Sequence, residues 1–215
     1  MKNVIITGPN GMIGKLIVEK CLQNKDVKSV TIISRNLLGI THPKLKKITH
    51  SDFLDYSNIE EHLKNKDVCF YCIGVYTGKV PTAEFQKITV AYTEIFAKAL
   101  KKNSKEVSFC FLSGQGADSS EKSKLLFAKE KGIAENILLK LQFTYIHIFR
   151  PGYIYPVTAR VEPNLMYKIM RKLYKPLQFI YPNIGVKSVQ LANKMVEVGM
   201  EGGSKIIYEN ADIRK

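Results

Sequence analysis

No stretch of this 215-residue chain approaches the roughly 18 uninterrupted apolar residues that a membrane-spanning helix needs. The N-terminus runs straight into an apolar strand pattern instead of a signal-peptide pattern, so the expectation is a soluble, cytoplasmic protein. Flexible linkers and low-complexity tracts are missing too, and residues 1–215 read as one domain long enough to bury a core. Acids are scarce, 19 against 33 lysines and arginines, giving a formal charge of +14. Such a balance raises nucleic acid or anionic lipid as partners. The lysines, however, are scattered over nearly every expected helix without aromatic interleaving or a nucleic-acid motif, which reads as a solvated surface. Cysteines number four. Cys69 and Cys72 have the gap of a zinc knuckle, but they lie in an apolar run in which residues three apart project to opposite faces, so buried thiols and no metal site are expected.

What is present begins at Val4-Ile5-Ile6-Thr7, which feeds into Gly8-Pro9-Asn10-Gly11-Met12-Ile13-Gly14 and then a helical repeat of Ile13, Leu16, Ile17, Cys21 and Leu22. A strand, a glycine turn and a helix start can hold a diphosphate, because the turn lets the backbone approach the anion and the helix offers unpaired N–H groups. A nucleoside-triphosphate P-loop does not fit, since Pro9 stands where its leading glycine belongs and Leu16 where a magnesium-binding Ser or Thr belongs.

Further strands are expected at 29–33, 45–49, 67–73, 107–112 and 145–149, with helices at about 82–102 and 120–140. Strands that are nearly continuous apolar runs, alternating with helices, imply an α/β fold: a doubly wound parallel sheet of Rossmann type. Residues 156–215 break the alternation, with helical segments at about 164–174 and 188–200 and a short strand at 206–208, and read as a small helical cap on the substrate side. The helix at 164–174 gathers Leu165, Met166, Ile169, Met170 and Leu173, with Lys168, Arg171, Lys172 and Lys175 largely elsewhere. That pattern suits packing over its own sheet, or an anionic membrane surface.

Ligands of such folds sit beyond the carboxyl ends of the strands. An adenosine ribose with free hydroxyls is usually held by an acid about 20 residues past the glycine turn, yet no acid occupies 27–36. Arg35 offers a charged fork suited to a 2′-phosphate, so NADP(H) is favoured over NAD(H).

These residues resemble the atypical short-chain dehydrogenase/reductases: the glycine turn, Asp52-Phe53, Cys72-Ile73-Gly74, Ser113 and Arg150-Pro151-Gly152. Leu112 to Asp118, Lys131-Gly132, Phe149 to Gly152 and Tyr208-Glu209-Asn210 are similar to the Tat-interacting-protein oxidoreductase-like branch. The resemblance implies that the turn, Gly8, Asn10, Gly11, Met12, Ile13 and Gly14, holds the diphosphate, Arg35 the 2′-phosphate and Asp52-Phe53 the adenine. It implies that Gly74, Val75 and Pro151 pass near the nicotinamide end, that Lys131 bonds the nicotinamide ribose, and that Ser113 polarises a substrate carbonyl.

The family's tyrosine, one helical turn before the lysine, is absent, because Phe127 precedes Lys131 by four and no tyrosine lies between Tyr92 and Tyr145. A phenyl ring keeps the shape and loses the proton. Tyr76, Tyr153 and Tyr155 are the candidate replacement donors, with aromatic packing as their alternative use. His42, His50 and His62 fall on early loops and a surface helix, and His147 lies inside a strand. Two functions are implied: an NADP(H)-dependent oxidoreductase on a small carbonyl or alcohol, or a catalytically weak NADP(H)-sensing module that meets a protein partner.

Overall fold

The computed structural model describes residues 1–36, 38–158 and 165–215. The chain alternates β1 (Lys2–Thr7), α1 (Met12–Gln23), β2 (Val27–Ser34), β3 (Leu45–Thr49), a 3-10 segment (Ser57–Leu63) and β4 (Val68–Tyr71). Next come α2 (Thr82–Gln86), a π-helical stretch (Lys87–Ala91), α3 (Tyr92–Asn103), β5 (Ser108–Leu112), α4 (Leu126–Lys140) and β6 (Tyr145–Arg150). The end of the chain adds β7 (Tyr153–Tyr155), α5 (Leu165–Ile180), β8 (Gly185–Lys187), α6 (Ser188–Glu201), β9 (Ile207–Glu209) and α7 (Asn210–Ile213).

The main sheet has seven strands in the order β3-β2-β1-β4-β5-β6-β9, and every pairing is parallel. Strand alternation divides the interior into two cores. Val4, Ile6, Val68, Phe70, Cys110 and Phe149 face a layer made by α1 and α6, while Ile5, Cys69, Tyr71, Phe109, Phe111 and Ile148 face the layer of α3 and α4. Cys69 and Cys72 accordingly pack on opposite faces, and all four cysteines are free thiols. Burial raises the thiol pKa of Cys21 and of Cys72 to about 12.

The structure differs from the sequence reading in three places. The expected helix at 120–140 starts only at Leu126, because the Asp118 carboxylate draws in the backbone N–H groups of Ser120, Lys122 and Ser123 at 3.0, 3.0 and 2.7 Å and curls the segment into a loop. The expected helix at 164–174 runs on to Ile180, with exposed Pro176 inside it. Asn164, where that helix was expected to begin, lies outside the described residues, as do the side chains of Met166 and Lys175.

The cap assigned to 156–215 is the third. Among the described residues of that segment, α6 supplies Leu191, Met195 and Val198 to the core beneath the sheet, and β9 is the seventh strand of the sheet itself. The short parallel pair β7-β8 was not foreseen; its strands come so close that a Cβ on Gly185 would stand 2.1 Å from the Tyr153 carbonyl oxygen.

Candidate active site

The strand order reverses between β1 and β4, and at that point their two following loops part to form a crevice. The glycine turn has the shape a diphosphate cradle requires. Gly8 has φ +67°, and a Cβ there would lie 2.5 Å from the Cys72 carbonyl oxygen. Gly14 meets Gly8 so closely that its Cβ would stand 2.2 Å from the Gly8 oxygen. Gly11, by contrast, would meet only the Gly8 oxygen at 3.3 Å, which leaves its outer side open. Helix α1 starts there with no side-chain cap and no acid in its first turn, so Met12, Ile13 and Gly14 begin a helix whose N–H groups have no side-chain acceptor.

A cavity of about 530 Å³ continues from this turn. Its walls are Gly11 to Gly14, Cys72 to Thr77, Leu112 to Gly114, Phe127, Lys131, Pro151, Gly152, Ile154 and Tyr167. Of the residues expected from sequence, Met12, Ile13, Gly74, Val75, Tyr76, Ser113, Lys131 and Pro151 thus share one chamber. Asn10 donates from Nδ2 to Ser34 Oγ at 2.8 Å and to the Asn36 carbonyl at 3.2 Å, which ties the turn to the end of β2. Arg35 is exposed immediately beyond β2. Asp52 accepts the Leu54 N–H at 2.9 Å, and Phe53 is buried against His50 and Tyr92. None of these three is among the cavity walls.

The catalytic assignments fare differently. Ser113 Oγ donates to buried Glu135 through a very short hydrogen bond, so the hydroxyl that would polarise a carbonyl already gives its proton to a carboxylate. Arg150 holds that carboxylate, with Nε at 3.1 and 3.2 Å from its two oxygens, and reaches Glu209 and Ser119 at 3.1 Å each. Sequence reasoning missed Glu135, although its position four residues after Lys131 puts both on one helical face.

Lys131 is 7 % exposed, donates to the Leu112 carbonyl at 3.0 Å and stands 4.7 Å from the centre of the Phe111 ring. Burial pulls its pKa down to about 8, with Glu135 and Cys72 pulling in the opposite direction. Because the folded value lies below the unfolded one, the unfolded chain binds the extra proton between about pH 8 and 10.5, and stability rises with pH across that window. Lys131→Met is expected to flatten this rise, and denaturant melts of both proteins across the window would show it; parallel curves would mean that the ammonium is solvated.

Phe127 lies one turn before Lys131 on the cavity wall, its tip so close to Gly114 that a Cβ there would stand 2.5 Å from Cζ. Tyr76 is in the cavity, edge-on to Tyr167 at 5.0 Å. Tyr153 is not a wall residue; it packs among Tyr167 and Tyr174 at 5.9 and 5.7 Å, and Tyr155 stacks on Tyr174 at 4.6 Å. Among the described residues no histidine lines the cavity, and His147 is buried with Nδ1 2.9 Å from the Lys205 carbonyl oxygen. Among the described residues no group of three or more His, Cys, Asp or Glu is placed to hold a metal.

Residues 4–125 match the model of the NAD dependent epimerase/dehydratase family. The mitochondrial protein FMP52 of Candida albicans is 33% identical over 155 residues, covering 70% of this chain and 66% of the relative. Rat protein HTATIP2 is 28% identical over 154 residues, 70% of this chain and 62% of its own. The chain therefore matches just under two thirds of the length of these two relatives.

A short chain dehydrogenase family protein from Francisella tularensis superposes with a TM-score of 0.69 at 18% identity over the whole of both chains. The Bordetella bronchiseptica enzyme WbmH, solved with NAD+, gives 0.71 at 18% identity over 97% of this chain and 75% of its own. No helix among the described residues is long and apolar enough to cross a membrane. By its sequence match and its seven-stranded sheet, the chain belongs to the NAD dependent epimerase/dehydratase family, as an atypical short-chain dehydrogenase/reductase of the NAD(P)-binding Rossmann superfamily.

Proposed function

We propose that this chain is a cytoplasmic NADP(H)-binding oxidoreductase acting on a small carbonyl or alcohol. The observation that carries the reading is continuity: an uncapped helix start at an open Gly11 leads directly into a chamber holding a buried, low-pKa lysine. The residues present fit a dinucleotide, since a Cβ at Gly8 or Gly14 would collide with the turn itself, while the face of Gly11 that the diphosphate approaches stays clear. Met12, Ile13 and Gly14 would meet the diphosphate, Gly74, Val75 and Pro151 the nicotinamide end, and Lys131 its ribose. Bound there, the coenzyme supplies hydride to or from the substrate carbon. That WbmH, a fold neighbour, was solved with NAD+ supports a nucleotide as the ligand.

The chain's own residues supply position and a proton. Tyr76 carries a phenol on the cavity wall and Lys131 carries an ammonium near neutrality, so both stand as donors in place of the missing tyrosine. Tyr153, lying off the cavity walls, is left to aromatic packing. Ser113, its proton given to Glu135, offers lone pairs to the chamber and so suits a substrate hydroxyl or an amide N–H.

NADP(H) over NAD(H) rests on exposed Arg35 at the end of β2 and on the lack of any acid over 27–36. Arg35→Ser is expected to weaken NADPH by about ten- to a hundredfold, the worth of a charge-assisted bond, and to leave NADH within a few-fold. Titration calorimetry with both coenzymes checks this; equal losses for the two would remove the 2′-phosphate assignment, and no affinity for either would remove the whole reading. A second reading, an NADP(H)-sensing module that does not turn over, is favoured by Phe127 and by the engaged Ser113 hydroxyl. It predicts coenzyme binding without hydride transfer.

A further inference from the structure

Helix α5 has three faces where a surface helix ordinarily has two. Tyr167, Met170, Tyr174 and Leu177 turn inward, and Tyr174 is 1 % exposed. On the outside, Leu165, Ile169, Leu173 and Ile180 follow one another at steps of four, four and seven, and remain 70, 49, 45 and 78% exposed. At about 100° per residue these four fall within one stripe roughly 80° wide. Between the inner and outer stripes, along one side, run Lys168, Arg171 and Lys172. The helix carries no acid, and among the described residues neither Lys168 nor Lys172 meets a carboxylate. At its C-terminal end Phe179 is 90% exposed and Tyr181 just beyond it 56%.

A helix that only covers its own sheet needs one apolar stripe, and the inner one serves that purpose. The outer stripe is a ridge instead of a groove, it is edged by cations, and it sits on a chain of formal charge +14. We propose that this outer face docks the protein on an anionic lipid surface. Leu165, Ile169, Leu173 and Ile180 enter the boundary between head groups and acyl chains, and Lys168 and Lys172 lie at the level of the phosphates. Long cationic side chains suit that position, because their stems follow the apolar layer while their heads stay in water. A second copy of this chain fits less well, since an antiparallel two-fold contact through the same face would set two rows of cations beside each other. Tyr167, on the inner face of the helix, lines the cavity, so docking brings the cavity wall beside the lipid.

The test mixes the full chain with phosphatidylcholine vesicles, either pure or carrying about 30 mol % phosphatidylserine, and measures co-sedimentation at low and physiological salt. Binding is expected to the serine-containing vesicles, to weaken with salt and to be at least about tenfold lower on pure phosphatidylcholine. Two surface pairs divide the contributions: Ile169→Ser with Leu173→Ser, and Lys168→Gln with Lys172→Gln. Each pair is expected to cost about tenfold or more, with unchanged circular dichroism because all four residues are exposed. Absence of binding even at low salt overturns the proposal. So does full binding by either pair of variants, or a dimer in sedimentation velocity that Leu173→Ser dissolves while lipid is ignored.

Discussion

Glu135→Ala is expected to lower the free energy of unfolding by about 3–5 kcal/mol, the usual cost of removing one partner from a buried ion pair. The carboxylate is 1 % exposed, and the Arg150 side chain that grips it is 13% exposed. Removing it strands a guanidinium whose remaining carboxylate partner, Glu209, is half exposed, and it leaves the Ser113 hydroxyl without its acceptor. Against a typical total of about 5–15 kcal/mol, such a loss is large. Urea melts of the variant and of Glu135→Gln, which keeps an acceptor for Ser113 but no charge, separate the two parts. A loss under about 1 kcal/mol in Glu135→Ala would show that the pair behaves like an exposed surface bridge.

Phe127→Tyr is expected to raise NADPH-dependent reduction of a carbonyl substrate by about 100- to 10,000-fold, the range by which a positioned acid accelerates proton transfer. The position lies one helical turn before Lys131, whose ammonium would favour the phenolate and so ease proton release. The ring tip packs on Gly114, where the absence of a Cβ makes its room. Steady-state assays over a panel of small carbonyl compounds, run beside the parent protein and Tyr76→Phe, check the outcome. Activity in the parent that collapses in Tyr76→Phe would assign the proton to Tyr76; no gain in Phe127→Tyr would mean that the ring does not face the reacting atoms.

Much of this architecture is legible in the chain because the strands are short apolar runs and the helices keep their period. Alternate residues of Val4-Ile5-Ile6 really do enter different cores, and the turn glycines each meet a backbone atom or an open face. What escapes is set by contacts distant in sequence or by side-chain competition with the backbone. Asp118 delays α4 by capturing N–H groups, an effect invisible to periodicity. The π-helical stretch at Lys87–Ala91 interrupts what reads as one long helix, with Thr93 Oγ1 donating to the Thr89 carbonyl at 2.8 Å.

Ser113 could be placed at the site by motif, yet the direction of its proton depends on Glu135, a residue whose ordinary surface chemistry gives no warning of burial. The C-terminal segment misleads because irregular spacing looks like an appendage, whereas α6 and β9 belong to the layers of the main fold.

That placement of α6 has a consequence for how the molecule forms. The floor beneath β1, which presents Val4, Ile6, Ile17 and Val18, is closed by Leu191, Ala192 and Met195, and the amine of Lys2 reaches the Met200 carbonyl at 2.6 Å. A nascent chain of the first hundred residues therefore has α1 on that face but not α6, and part of its oily underside stays open. Completion waits for the tail to return to α1 and the middle strands, a long loop closure of the kind that slows folding.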